Sequence, residues 1–107
     1  ISSMIPEIHV SDLVPLVASG ARVIDVRETD EYIAGHVPGA ISIPLSTVPE
    51  RIDEFRFSGD TYVICQAGSR SMRACQYLAD FDINNLINIA GGTAGWAANG
   101  NELDVGA

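Results

Sequence analysis

A single thiol, Cys65, stands where an apolar run meets a polar turn that contains a glycine. The run Thr61–Cys65 has the β-branched and aromatic residues typical of a buried strand. Apolar and small residues recur at helical spacing over 69–81. A turn between a strand and a helix directs free backbone N–H groups at one point, which favours an anion such as a thiolate. The sequence therefore predicts that Cys65 is a nucleophile with a lowered pKa.

The residues after Cys65 favour this chemistry over the alternative, in which the cysteine is a small buried hydrophobic residue. Gly68 can adopt a positive φ in the turn, and Arg70 is a permanent cation suited to binding oxyanions. Ser69 and Ser71 could cap the helix or donate hydrogen bonds within the loop. We predict an anion-binding loop around the thiol, formed by Gln66, Ala67, Gly68, Ser69, Arg70 and Ser71.

Composition limits the classes of fold and partner. The 107 residues are 47% hydrophobic, which predicts a single domain over 1–107 with its core at about 8–100. The net charge is −8 and there is no lysine, which argues against nucleic acid or an anionic membrane as a partner. No apolar run approaches the roughly 20 residues that span a bilayer. Whether the chain is a piece of a longer protein is left open.

The cysteine and histidine pattern predicts no disulfide and no metal site. Cys65 and Cys75 do not form the framework of a secreted disulfide-rich domain, and Cys75 is predicted to fill the core. There is no Cys-x-x-Cys sequence, and His9 and His36 are isolated. We therefore expect a reducing, cytoplasmic location.

Strand patterns alternate with helix patterns along the whole chain, which predicts an α/β fold with a five-stranded, mostly parallel sheet and helices on both faces. Ser11 is predicted to cap the first helix, with Pro15 in its first turn, and Thr29 or Asp30 to cap the second. Strands are predicted at 8–10, 22–26, 41–43, 61–65 and 86–89, and helices at 12–18, 31–35, 48–55, 69–81 and 93–98.

Three loops follow predicted strands and should meet at the carboxyl edge of the sheet, where such folds bind ligands. They contain Cys65, 25–27 and 91–92. Asp25 and Arg27 are predicted to support the rim of the loop, and Arg27 is close enough in sequence to pair with Glu31. His36 could be a base or make a structural hydrogen bond, and the structural role is favoured. Trp96 is predicted to pack the last helix.

Three motifs in series resemble the rhodanese family over about 8–100. The tail at 101–104 departs from the usual proline-valine ending of that family. The motifs are Asp25-Val-Arg-Glu28 with Glu31-Tyr32, Gly35-His-Val-Pro-Gly-Ala40 and Ile43-Pro44; Cys65-Gln-Ala-Gly-Ser-Arg-Ser71; and Gly91-Gly-Thr-Ala-Gly-Trp96.

The resemblance implies a sulfurtransferase that needs neither a metal nor an organic cofactor. Cys65 would take a sulfane sulfur from thiosulfate or a persulfide donor and pass it as a persulfide to cyanide, a thiol or a protein acceptor. One alternative is a sulfur-carrier or regulatory module with little activity on free thiosulfate. Another is a cysteine phosphatase or arsenate reductase, whose loops place one residue more between cysteine and arginine than the four present here, Gln66–Ser69.

Overall fold

The computed structural model describes residues 4–107, in which strands and helices alternate. The strands are β1 (Glu7–His9), β2 (Arg22–Asp25), β3 (Ile41–Ser42), β4 (Thr61–Ile64) and β5 (Leu86–Ala90). The α-helices are α1 (Val10–Ala18), α2 (Thr29–Ala34), α3 (Ser69–Ala79) and α4 (Gly92–Ala98), and two 3₁₀ helices span Leu45–Glu50 and Ile52–Phe55. No helix within the described range is long and apolar enough to cross a membrane.

The five strands form one sheet in the order β1-β5-β4-β2-β3, and every neighbouring pair is parallel. The predicted five-stranded α/β architecture is therefore confirmed. β4 lies at the centre, with Ile64 opposite Asp25 of β2 and Val63 opposite Asn88 of β5. The carboxyl end of β4, and hence Cys65, is flanked by the carboxyl ends of both neighbours.

Alternating strand residues supply two apolar cores, one on each face of the sheet. Val63 and Cys65 belong to the core beneath α3 and the 3₁₀ helices, whereas Ile64 belongs to the core beneath α1 and α4. Helices therefore cover both faces, as the near-continuous apolar strands predict.

Residues 45–55 form two 3₁₀ helices, so the predicted helix at 48–55 is wrong in type and extent. Pro49 lies inside the first one and has no N–H to donate to an α-helical ladder. Arg51 then leaves helical geometry, with φ of −128°. Phe55 is nevertheless fully buried from solvent, so this segment packs against the core.

The predicted N-caps are also wrong, because α1 and α2 begin earlier than their polar residues suggest. His9 caps α1 and its Nδ1 accepts the Ser11 N–H at 3.2 Å, so Ser11 lies within the helix. Pro15 consequently lies in the helix interior rather than its first turn. Glu28 caps α2 in a reciprocal capping box with Glu31, in place of Thr29 or Asp30.

Candidate functional site

Cys65 directly follows β4, and three residues separate it from the start of α3. Gly68 ends this turn with φ of +116°, a left-handed conformation that side chains rarely adopt. The turn brings the Gly68 N–H to 3.1 Å from the Cys65 sulfur, to which it donates a hydrogen bond. The residues after β4 thus form a loop in which a backbone N–H points at the Cys65 sulfur.

Further donors converge on the same sulfur. The Ser71 hydroxyl lies 3.3 Å from it and can donate a hydrogen bond to it. Burial raises the pKa of the Cys65 thiol, but hydrogen bonds from the Ser71 hydroxyl and from the N–H groups of Ser71, Gly68 and Ala67 outweigh that effect and lower it. Cys65 is only 1% exposed and also touches the apolar core, so the sulfur is buried with its donors on the loop side.

The first residues of α4 donate hydrogen bonds to the backbone of the loop. The Thr93 N–H and hydroxyl donate to the Cys65 carbonyl oxygen at 2.9 and 3.1 Å, and the Ala94 N–H donates to the Gln66 carbonyl oxygen at 3.0 Å. A Cβ on Gly92 would lie 2.5 Å from both carbonyl oxygens. Only glycine therefore allows α4 to approach the loop this closely.

A buried ion pair joins the end of β2 to the same loop. The Arg27 guanidinium donates to both carboxylate oxygens of Asp25 at 2.8 to 3.1 Å, to the Gly35 carbonyl oxygen at 2.8 Å and to Gln66 Oε1 at 3.3 Å. Asp25 is fully buried and Arg27 is 3% exposed. The prediction that Arg27 pairs with Glu31 is wrong, because its donors already have these partners.

Arg70, the cation of the loop, makes a bidentate ion pair with Glu31. Its Nη1 and Nη2 donate to the two carboxylate oxygens at 2.8 and 2.9 Å. The hydrogen bonds from Arg70 lower the pKa of Glu31 to about 2. Sequence reasoning missed this contact, because the two residues are 39 positions apart and their elements meet only in the folded chain.

Asn88 is a second supporting residue that sequence reasoning missed. Its Nδ2 donates to the Gly68 carbonyl oxygen at 3.2 Å and to Glu7 Oε2 at 2.7 Å. The signal was a single amide side chain inside the apolar strand β5, because buried polar groups need partners. It fixes the peptide next to the donor that reaches the sulfur.

Other residues singled out in the sequence donate no hydrogen bond to the Cys65 sulfur within residues 4–107. Ser69 is exposed and makes no side-chain hydrogen bond to it in the part of the chain described. His36 Nδ1 donates to the Tyr32 carbonyl oxygen at 2.8 Å, and its ring stacks on Tyr32 with centroids 3.7 Å apart. Cys75 is fully buried without a disulfide, and its burial raises its pKa to about 12. Trp96 packs beneath α4 and donates to the Glu102 carbonyl oxygen at 2.7 Å.

Metal-binding side chains do not cluster over residues 4–107: no three or more histidine, cysteine, aspartate or glutamate side chains are grouped so that they could hold an ion. An open groove of about 530 Å³ borders the Cys65 loop, with Arg27, Glu31 and Gln66 in its wall. The arrangement combines a buried sulfur, hydrogen-bond donors that converge on it and an open groove beside the loop.

Comparison with protein families matches residues 10–99 to the rhodanese-like domain. A sulfurtransferase of Allochromatium vinosum is 32% identical over 77 residues, which cover 72% of each chain. The thiosulfate sulfurtransferase GlpE of Pseudomonas entomophila is 34% identical over 79 residues, covering 74% of this chain and 72% of that protein.

A third relative is longer than this chain. YrkF of Bacillus subtilis, named as a candidate sulfur carrier protein, is 34% identical over 97 residues, which are 89% of this chain and 52% of YrkF. Among solved structures, a rhodanese-related protein of Thermoplasma volcanium superposes with a TM-score of 0.85 at 29% identity, covering 94% of this chain and 98% of the other. The sequence comparisons and the structure comparison thus both match the chain to rhodanese-like proteins.

Proposed function

This chain belongs to the rhodanese family, and we propose that it is a sulfurtransferase that carries a sulfane sulfur on Cys65. The observation that supports this most directly is the convergence of the Ser71 hydroxyl and the Gly68 N–H on the Cys65 sulfur. These donors favour the thiolate, which is the form that attacks sulfur. They also suit a persulfide, whose terminal sulfur is anionic at neutral pH.

The first half-reaction loads the cysteine. The Cys65 thiolate attacks the sulfane sulfur of thiosulfate, a new S–S bond forms, and the bond to the sulfonate sulfur breaks. Sulfite leaves with the electron pair, so one thiolate and one dianion give one persulfide anion and one dianion. A persulfide donor reacts in the same way and releases its thiolate. No metal or organic cofactor takes part.

The second half-reaction regenerates the thiolate. A nucleophilic acceptor such as cyanide, a thiol or a protein cysteine attacks the terminal sulfur, and the Cys65 sulfur leaves with its electron pair. The negative charge stays beside the loop in both steps, so fixed N–H donors need not reorganise. This two-step route splits one transfer into two simpler displacements.

The neighbouring residues receive roles from their contacts. In this proposal the backbone of the 66–71 loop and the Ser71 side chain bind the anionic sulfur, and Arg70 is the cation that an oxyanion donor would approach. Asp25 and Arg27 hold the loop through Gln66. His36 is assigned a structural role at the rim: it follows Gly35, whose carbonyl oxygen accepts from Arg27, and its own Nδ1 donates to the Tyr32 carbonyl oxygen.

Intact-mass measurement after thiosulfate treatment tests the proposal. We expect the wild type to gain one sulfur atom and to lose it on addition of cyanide. Cys65→Ser should gain none, whereas Cys75→Ser, the matched control, should load as the wild type does. Sulfur loading of Cys65→Ser would contradict the assignment. Steady hydrolysis of an aryl phosphate that depends on Cys65 would instead favour the phosphatase alternative.

A sulfur-carrier role is the second candidate, and the ion pair between Arg70 and Glu31 favours it. The cation that would bind thiosulfate is already occupied by a carboxylate. Similarity to YrkF supports the same reading. A high KM for thiosulfate in the thiosulfate:cyanide assay, together with rapid loading from a protein persulfide, would distinguish the carrier from a thiosulfate-specific enzyme.

A further inference from the structure

The ion pair between Glu31 and Arg70 links α2 to the first turn of α3 at the entrance to the Cys65 loop. Both terminal nitrogens of Arg70 are occupied, one by each carboxylate oxygen, at 2.8 and 2.9 Å. The Glu31 and Arg70 side chains are 33% and 32% exposed, so both reach the surface, and Glu31 also lines the groove. An incoming anion therefore meets an arginine whose charge is already paired with a carboxylate through two of its five N–H donors.

Glu31 is held in this position by its own helix as well as by Arg70. Its Oε1 accepts the Glu28 N–H at 3.1 Å, and the Glu28 side chain accepts in return from the Glu31 backbone. This capping box fixes the first turn of α2. The carboxylate thus has a preferred position even when Arg70 moves away from it.

The charges around the entrance cancel. Arg27, a cation in the wall of the groove, is neutralised by buried Asp25. Arg70 is neutralised by Glu31, and the Cys65 thiolate adds one negative charge. A dianion approaching this entrance finds no excess positive charge, and the whole chain carries a net charge of −8.

We infer that Glu31 is a specificity-determining residue that disfavours dianionic oxyanion donors such as thiosulfate and favours thiol persulfides. Whether thiosulfate displaces Glu31 from Arg70 or shares the guanidinium with it, the Glu31 carboxylate stays close to a dianion, which is unfavourable. A persulfide needs no oxyanion contact: the Cys65 thiolate attacks its outer sulfur, the S–S bond breaks, and the donor thiolate leaves with the electron pair. The inference rests on the proposed function and specifies its donor class.

The test compares two donors in Glu31→Gln, which keeps the capping box because glutamine accepts the same N–H. The second-order rate constants for loading Cys65 are measured with thiosulfate and with cysteine persulfide, which carries one negative charge fewer. We expect the ratio of the thiosulfate constant to the persulfide constant to rise roughly tenfold. Asp30→Asn is the matched control: it makes the same charge change one residue away, at an exposed position, and should change the ratio by less than about twofold.

The double variant Glu31→Gln/Arg70→Gln shows whether the gain acts through Arg70. We expect it to lose the gain made by Glu31→Gln. An unchanged ratio in Glu31→Gln, an equal rise in Asp30→Asn, or a gain that persists in the double variant would each overturn the inference while leaving sulfur transfer intact. A wild type that loads from neither donor would overturn the proposed function itself.

Discussion

The Ser71 hydroxyl lies 3.3 Å from the Cys65 sulfur and 3.3 Å from the Gly68 carbonyl oxygen. A hydroxyl has one proton, so it can donate to only one of these acceptors at a time. A thiolate is the stronger acceptor, because hydrogen bonds to charged groups exceed those to neutral carbonyls. Formation of the thiolate should therefore turn this proton towards sulfur.

Ser71→Ala should raise the pKa of Cys65, because it removes a donor that stabilises the thiolate. The rate of alkylation by iodoacetamide, measured against pH in Cys75→Ser protein, should shift to higher pH and fall several-fold at pH 7. Ser69→Ala is the matched control, since that hydroxyl is not among the groups that donate to the sulfur within the described residues. Equal shifts in both variants would contradict a specific role for Ser71.

Glu31→Gln should remove a pH-dependent contribution to stability. Glu31 has a folded pKa of about 2, lowered from 4.5 by Arg70, so its ion pair stabilises the fold fully above about pH 4.5 and is lost as the pH falls through 2. Solvent screening limits this contribution to below about 1 kcal/mol at neutral pH.

Urea unfolding of the wild type and of Glu31→Gln between pH 7 and pH 2 measures this difference. We expect the wild type to be more stable at pH 7 and the two proteins to converge on acidification. If the difference in unfolding free energy stays constant across this range, the negative charge of Glu31 does not stabilise the fold.

Asp25→Asn should destabilise the fold by about 3–5 kcal/mol, because it leaves the buried Arg27 guanidinium without a counter-charge. Asp53→Asn makes the same change in the pair between Arg56 and Asp53, where the aspartate is 94% exposed. It should cost less than about 1 kcal/mol. The free energy of unfolding in urea measures both, and similar losses would contradict the importance of burial.

Gly92→Ala should destabilise the protein by at least about 2 kcal/mol and abolish sulfur loading. Its φ is +58°, and the added Cβ would meet the Cys65 and Gln66 carbonyl oxygens at 2.5 Å. Gly100→Ala is the matched control: its φ is +82° with nothing within 4 Å, so it tests backbone strain alone. It should cost about 1 kcal/mol and keep loading.

Thermal unfolding and intact mass together separate the two glycine variants. Normal sulfur loading in Gly92→Ala would show that the contact between α4 and the loop is dispensable.

Much of the fold could be predicted because its signals are local. Apolar runs of strand length alternate with helical periodicity, and that alternation predicts a parallel sheet with Cys65 at a carboxyl end. The segment 45–55 was predicted poorly, since apolar spacing indicates burial, whereas Pro49 decides the hydrogen-bond pattern.

The local part of the site could be predicted from the sequence, whereas a contact between distant residues could not. The turn around Cys65 could be predicted because consecutive residues form it, including a glycine at the left-handed position. Glu31 was assigned the wrong partner, because Arg27 is its near neighbour in sequence while Arg70 becomes its neighbour only through tertiary packing. The roles of the loop residues in sulfur transfer remain predictions.

The carbonyl groups of Cys65 and Gln66 find their hydrogen-bond partners in Thr93 and Ala94, nearly thirty residues later. A growing polypeptide that has passed β4 but not yet made α4 therefore lacks the support that shapes the thiol's surroundings. During synthesis the loop backbone would lack the contacts from these two residues that hold it in place. We therefore expect the full set of contacts around the sulfur to form only when α4 docks against the loop.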